Sequence, residues 1–233
     1  MRKMYFIWCL GSLSIFQEEG YAQSGSDSWG WSDLGVHITL PGSQFSFDAS
    51  YQYIVNDNAS AYFLQFGTVG ANYRLKNTNL QATGSYTFGE VNDFGFLHFP
   101  QLRLRQNFPK SKWHPFARFT YDRLMIDTYG EIPSFETNHR YRLQVGIVPG
   151  LNSFLSLIAN TEHFIRRREG WAAEQRSVVG LDCKVNERFH TRVFYFNRWL
   201  NFEESDLRWN HAMIISLRFF VSAPHKINRL NKN

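Results

Sequence analysis

The chain has 233 residues, of which 17% are aromatic and 19% are charged, and its formal net charge is +5. The basic residues form no long run, so the charge gives no argument for nucleic-acid binding. The mean hydropathy of −0.37 is too polar for a protein with membrane-spanning helices, whereas a transmembrane β-barrel is apolar only at every second residue and fits this value.

The N-terminal residues have the features of a secretory signal. Arg2 and Lys3 precede a short apolar run, and the small residues Gly20 and Ala22 follow it. We predict a signal peptide over residues 1–22, because this apolar run is too short to cross a bilayer as a helix. Cys183 is then the only cysteine of the mature chain, which excludes an intramolecular disulfide.

Alternation of apolar and polar residues predicts strands along the rest of the chain. Runs at 34–40 and 45–53 flank a Pro41-Gly42-Ser43 turn. In the next run, 61–75, the apolar parity changes near Gly67 and Thr68, which predicts a β-bulge. The further predicted strands are 80–88, 101–108, 113–122, 138–148, 153–165, 174–184, 189–199 and 209–221.

Arginine recurs on the polar parity of two of these runs, at Arg103 and Arg105 and again at Arg140 and Arg142. Aromatic and aliphatic residues fill the opposite parity. We expect that apolar face to contact lipid, so the charged face should line a barrel lumen. The predicted lumen charges are Arg103, Arg105, Arg118, Asp122, Arg140, Arg142, Glu162, Glu174, Arg176 and Arg192, together with Asp48, Arg74, Asp182, Lys184, Arg198 and Arg218.

The connections between these runs are predicted to alternate between tight turns, such as 41–43 and 109–112, and longer loops, such as 127–137. That pattern is typical of an up-and-down membrane barrel. The predicted fold is therefore all-β, a single antiparallel transmembrane β-barrel of about 10–12 strands over residues 23–221. Residues 222–233 form a basic tail without predicted structure.

The number of strands is left open by the sequence. Eleven runs are recognisable, whereas bacterial single-chain barrels have even numbers of strands. Either one run does not span the membrane, or the segment from Ser24 to Trp31 contributes a twelfth strand.

Several segments resemble a family of Gram-negative outer-membrane barrels known as domain of unknown function 2490. The resemblance rests on Gln101 to Arg105 and Arg140 to Leu143, on Glu174-Gln175-Arg176 before the Val185 to Arg188 turn, and on Asn210 to Met213. It covers residues 31–221. It implies a barrel fold and an outer-membrane location but no reaction. A weaker similarity is to small sugar-acid channels, whose lumens also carry rows of arginine.

The lumen charges allow two interpretations. Arginines and carboxylates on adjacent strands can pair and stiffen a narrow barrel, or the arginines can draw anions through a pore. The predicted function is thus structural or that of a narrow passive channel, without enzymatic activity. The alternative is a lipid-modifying hydrolase, which would need a Ser, a His and a carboxylate or Asn within reach of one another.

Ligands and partners are predicted from the same residues. No two His, Asp or Glu have the spacing of a known metal site, so we expect neither a metal nor a cofactor. Arg166, Arg167 and Arg168 form either a solvated basic cluster or a contact with lipopolysaccharide phosphates. The expected partners are outer-membrane lipid, lipopolysaccharide and the barrel assembly machinery, with no nucleic acid.

Overall fold

The structure is a computed structural model that describes residues 26–56, 61–92, 95–128, 135–166, 170–200 and 208–222. The predicted signal peptide and basic tail lie outside these residues. Within them the chain forms eleven strands: β1 (Ser26–Thr39), β2 (Phe45–Asn56), β3 (Ala61–Arg74), β4 (Leu80–Val91), β5 (Gly95–Asn107), β6 (Phe116–Thr128), β7 (Phe135–Ile147), β8 (Leu155–Arg166), β9 (Gly170–Asn186), β10 (Phe189–Leu200) and β11 (Arg208–Ser222).

These strands form one closed barrel in which each strand pairs antiparallel with the next along the chain. The barrel closes where β1 pairs parallel with β11, from Ser26 opposite Trp209 to Thr39 opposite Ser222. An up-and-down barrel with an odd number of strands must contain one parallel pair, because the strand direction alternates around the wall. The predicted barrel of about 10–12 strands is confirmed, and the expected even number is not met.

The segment that could have supplied a twelfth strand belongs to β1. Residues 26–31 continue without interruption into the rest of that strand and pair with β11 in one register. We call the end of the barrel that carries the 40–44 connection the lower end, and the end that carries the 57–60 connection the upper end.

The outer face of the barrel is apolar. Leu102 is 65% exposed and Val69 is 60% exposed, and large apolar side chains occupy the outward parity of every strand, although those of β8, such as Leu157, are only half-exposed. Soluble proteins rarely expose such a continuous apolar surface, whereas a bilayer-spanning barrel presents it to lipid. Further exposed members of this belt are Leu34, Phe47, Tyr86, Phe119, Leu143, Val179, Tyr195 and Leu217.

Tyrosine–histidine pairs mark the upper part of the outer face. The Tyr86 hydroxyl lies 2.6 Å from His98 Nδ1, and the Tyr121 hydroxyl lies 2.8 Å from His139 Nδ1. Tyr195 and His211 form a third pair. Rings with an apolar body and a polar tip suit the boundary between lipid and water. His139 and His211 thus lie on the lipid-facing side that their parity predicts.

The predicted β-bulge at Gly67 and Thr68 is wrong. The register between β2 and β3 is continuous from Phe45 opposite Tyr73 to Ile54 opposite Leu64, and the shift lies between Ile54 and Val55. The apolar parity changes because the inward-facing residue at the upper end of β3 is an aromatic ring. Phe66 faces inward there, and its ring contacts the Trp31 ring at a centroid distance of 6.3 Å.

The predicted alternation of tight and long connections is also wrong. Strands β4, β6 and β9 continue well beyond the residues that alternate clearly, because ladder hydrogen bonds form regardless of side-chain polarity. The lower connections span 40–44, 75–79, 108–115, 148–154 and 187–188, and the upper ones span 57–60, 92–94, 129–134, 167–169 and 201–207. The described residues contain no helix long and apolar enough to cross a membrane.

Candidate functional site

The lumen is the candidate functional site, because charged and aromatic side chains from all sides of the wall meet there. Register places inward-facing residues opposite one another across β5, β6, β7, β8 and β9. Arg105 lies opposite Arg118, and Arg118 lies opposite Gln144, which in turn lies opposite Glu162. All ten predicted site residues lie on this inward parity.

One group of ion pairs joins β6, β7 and β8. Asp122 is completely buried, and its carboxylate accepts a hydrogen bond from Arg140 Nε at 2.5 Å. Arg142 Nε lies 2.8 Å from the other oxygen of Asp122, at an angle outside hydrogen-bond geometry. One carboxylate therefore holds two guanidinium groups of the next strand.

Glu162 extends this group toward the lower end. Its Oε1 accepts a hydrogen bond from Arg118 at 3.2 Å and lies 3.5 Å from Arg142 Nη1. Arg142 thus bridges two buried carboxylates. We call Arg118, Asp122, Arg140, Arg142 and Glu162 the lumen network.

A second group joins β9 and β10. Glu174 is 1% exposed and accepts hydrogen bonds from Arg176 Nε at 2.5 Å and from Arg198 Nε at 2.7 Å. The guanidinium of Arg176 lies 4.1 Å from the ring centre of Phe164, which is completely buried, and 5.9 Å from that of Phe196. A buried cation stacked on aromatic faces in this way is stabilised by the ring quadrupoles.

Aromatic residues fill the space around this second group. The Trp31 ring lies edge-on to Phe66 and to Phe196, at 6.3 Å and 6.0 Å between ring centres. Arg140 lies over the Phe99 ring at 5.1 Å. Side chains therefore obstruct the lumen from its middle upward, since Asp122, Phe164 and Glu174 are closed to water or nearly so.

Arg103 and Arg105 of β5 have a different environment. Among the described residues, no carboxylate lies within ion-pair distance of either one. Arg103 Nη2 donates to Gln101 Oε1 at 3.3 Å, and its buried Nε has no acceptor in this part of the chain. We call Arg103 and Arg105 the arginine pair.

Aromatic packing holds Arg105 in place. Its guanidinium lies 4.2 Å from the ring centre of Phe116, and its Nε donates to Asn107 Oδ1 at 2.9 Å. The ring of Phe116 fits because Gly146 lies beside it, where an added Cβ would come within 2.7 Å of the ring. Arg105 is thereby held on the same part of the lumen wall as Arg118, its cross-strand neighbour.

Two histidine–aspartate pairs lie at the lower mouth. His37 Nδ1 is 2.6 Å from Asp48 Oδ1, and His190 Nδ1 is 3.1 Å from Asp182 Oδ1. Asp182 also accepts a hydrogen bond from Arg192 Nε at 2.9 Å. The inward-facing ring of Phe220 contacts both histidines, with centroids 5.7 Å and 4.6 Å away.

The parallel seam between β1 and β11 has its own ion pair. Buried Asp33 pairs with Arg218 and accepts a hydrogen bond from Ser216 Oγ at 2.8 Å. Gly35 leaves the space that Arg218 crosses to reach Asp33, since an added Cβ would lie 2.1 Å from Arg218 Nη1. Asp33, His37 and Ser216 were absent from the predicted lumen residues.

The geometry required of a hydrolase is not found in the described residues. Neither His37 nor His190 has a recorded hydrogen bond to a serine hydroxyl, although each has a carboxylate partner. His139 and His211 face outward, away from the lumen. No group of three or more His, Cys, Asp or Glu in this part of the chain is arranged to hold a metal ion.

These histidine–aspartate pairs could not be predicted from the sequence, for a physical reason. Each pair joins two strands, and its members are cross-strand neighbours on one face. A search for spacing within one strand cannot find them. The register of each hairpin turn is the signal that relates the two residues.

Comparison with solved structures places two porins near this fold. The KdgM porin in complex with disordered oligogalacturonate is 12% identical with a TM-score of 0.47, covering 71% of this chain and 81% of that chain. The NanC porin in a rhombohedral crystal form is 11% identical with a TM-score of 0.49, covering 83% of this chain and 98% of that chain.

No curated protein sequence matches the chain. The model of one protein family does match, over residues 29–210, and that family is described as a protein of unknown function, DUF2490. The match spans most of the barrel, from within β1 to the start of β11. This chain belongs to the DUF2490 family.

Proposed function

We propose that this protein is an outer-membrane barrel of a Gram-negative bacterium whose narrow lumen admits only small anions. The observation that carries the proposal is a packed level of the lumen around Asp122. The Asp122 side chain is completely closed to water, and Arg140 and Arg142 beside it keep only 12% and 11% of their accessible surface. Arg118 and Arg192, nearer the lower mouth, keep 20% and 29%. Water thus reaches arginines from below and meets a packed barrier at Asp122.

The excess of basic side chains favours anions over cations. Asp122, Glu162 and Glu174 are each engaged by two arginines, and the arginine pair adds two charges that have no described carboxylate within ion-pair distance. Rings of arginine or lysine are how pores select anions. The ion pairs also stiffen the wall, because they link β6 to β8 and β9 to β10.

Planar-bilayer conductance tests this proposal. The wild-type barrel is expected to show a small conductance, and its reversal potential in a salt gradient should have the sign of anion selectivity. Phe164→Ala removes part of the barrier and should raise the conductance. Phe219→Ala, which removes the same ring from the outer face, is the matched control and should leave conductance unchanged.

Two results would count against the proposal. A cation-selective reversal potential would contradict the anion preference, and no conductance in either the wild type or Phe164→Ala would leave a purely structural barrel. Membrane fractionation tests the location. Recovery in the outer-membrane fraction is expected, and recovery in the soluble periplasm would contradict it.

A further inference from the structure

We propose that Arg103, Arg105 and Arg118 form a binding site for a small oxyanion, the carboxylate or phosphate group of a solute that enters from the lower mouth. The inference rests on the proposed function, because the solute must reach the site through the lumen. It goes further by assigning the contact to three residues and by naming the chemistry of the ligand.

The arginines of this site have fewer hydrogen-bond acceptors than donors. Five N–H groups of an arginine need acceptors, yet among the described residues the only recorded partner of Arg103 is Gln101 Oε1. The Nε groups of Arg103 and Arg118 are both buried without a hydrogen-bond partner there. A buried donor without an acceptor is costly, and an entering oxyanion would satisfy several donors at once.

Positive charges lie close together at this site and repel one another. Arg105 lies opposite Arg118 on the neighbouring strand, and the charges of Arg118 and Arg192 both act on it. Arg118 and Arg142 act likewise on Arg103, each more strongly than the more distant carboxylates of Glu162 and Asp48. Among the described carboxylates, only that of Glu162 forms an ion pair with Arg118, through one contact at 3.2 Å. Like charges held together in a partly buried space favour a bound anion.

The arginine pair is preorganised by its neighbours. Phe116 and Asn107 hold Arg105, and Gln101 holds Arg103, so little side-chain entropy is lost when a ligand binds. Guanidinium groups present parallel pairs of N–H donors, which match the two oxygens of a carboxylate or phosphate. A halide ion cannot accept in that bidentate manner. The geometry therefore favours oxyanions over chloride.

The test measures unfolding of the purified barrel in detergent, monitored by tryptophan fluorescence, with phosphate, acetate or chloride at equal ionic strength. A ligand that binds only the folded state raises the unfolding midpoint. Phosphate and acetate should raise the midpoint of the wild type above its value in chloride. The shift should be lost in the Arg103→Gln/Arg105→Gln double variant.

Two further variants separate the effect of removing positive charge from the effect of losing bidentate geometry. Arg74→Gln removes one positive charge on the inward parity of β3 at an exposed position, and it should keep the full shift. Arg103→Lys/Arg105→Lys keeps the charge but not the bidentate geometry, and it should lose most of the shift. An equal shift in the glutamine double variant, or none in the wild type, would overturn the site.

The outcome is separable from that of the conductance experiment. An oxyanion shift without conductance would support the binding site and contradict the channel. Anion conductance without a shift would support the channel and contradict the binding site.

Discussion

The parts of the wall on the two sides of Arg118 carry similar arginines, but these arginines have different partners. On β6 to β10, buried carboxylates hold the guanidinium groups in pairs, as Asp122 holds Arg140 and Arg142. On β5, the hydrogen bonds of the arginine pair go to neutral partners, Gln101 and Asn107. The same residue type is therefore part of the packing in one wall and an unbalanced charge in the other.

Arginines in one row can therefore have different roles, in stabilising the fold or in contacting a solute. A guanidinium whose charge is matched by a buried carboxylate contributes to the fold, and losing either member leaves an unpaired buried charge. A guanidinium without such a partner contributes little to the fold and is free to meet a solute. Stability measurements on matched variants can separate these two cases.

The largest effect is expected at Glu174. Glu174→Gln removes the buried carboxylate charge that Arg176 and Arg198 share, which should cost about 3 kcal/mol or more of unfolding free energy. Urea unfolding of the barrel in lipid measures this. The Glu174→Gln/Arg198→Gln double variant should recover part of the loss, and strict additivity of the two changes would show that the pair is uncoupled.

A smaller effect is expected at the parallel seam. Asp33→Asn removes the charged acceptor of Arg218 and Ser216 and should cost about 2 kcal/mol. Ser216→Ala, which removes only the hydroxyl donor, should cost about half as much. If both variants unfold at the wild-type urea concentration, the ion pair does not hold the seam together.

The arginine pair should behave in the opposite way. Arg103→Gln relieves repulsion from Arg118 and Arg142, so unfolding free energy should stay equal or rise by up to about 1 kcal/mol. The matched variant Arg140→Gln removes a guanidinium 2.5 Å from Asp122 and should be clearly destabilising. Equal losses of unfolding free energy in the two variants would contradict the difference between the two walls.

The smallest effect is expected at Glu187, in the 187–188 connection. The hydrogen bond that Lys184 donates holds the pKa of this carboxyl below its ordinary value. Such a pair contributes only above the ordinary pKa, and its contribution is lost as pH falls. Because Glu187 is fully exposed, solvent screens the pair, and Glu187→Gln should leave the urea midpoint unchanged at neutral pH and at pH 4. A measurable loss at neutral pH would mean that this turn is part of the cooperative fold.

Much of the fold could be predicted because alternation with period two is a local property of the chain. Arg103, Leu104 and Arg105 already show which side chains share a face, and the exposed outer position of Leu104 follows from the same parity. The strand ends could not be predicted, because backbone pairing extends past the last alternating residue. The bulge predicted at Gly67 failed because hydropathy parity reversed while the register did not.

By itself, the sequence determined strands with one apolar and one polar face. That pattern also indicated the family, the barrel class and which residues face inward. Only the tertiary structure decided which inward charges are neutralised. Asp122 meets Arg140 and Arg142, and the arginine pair meets no described carboxylate. Partners across a barrel are set by register and closure, including the parallel seam between β1 and β11, and these depend on contacts between residues far apart in the chain.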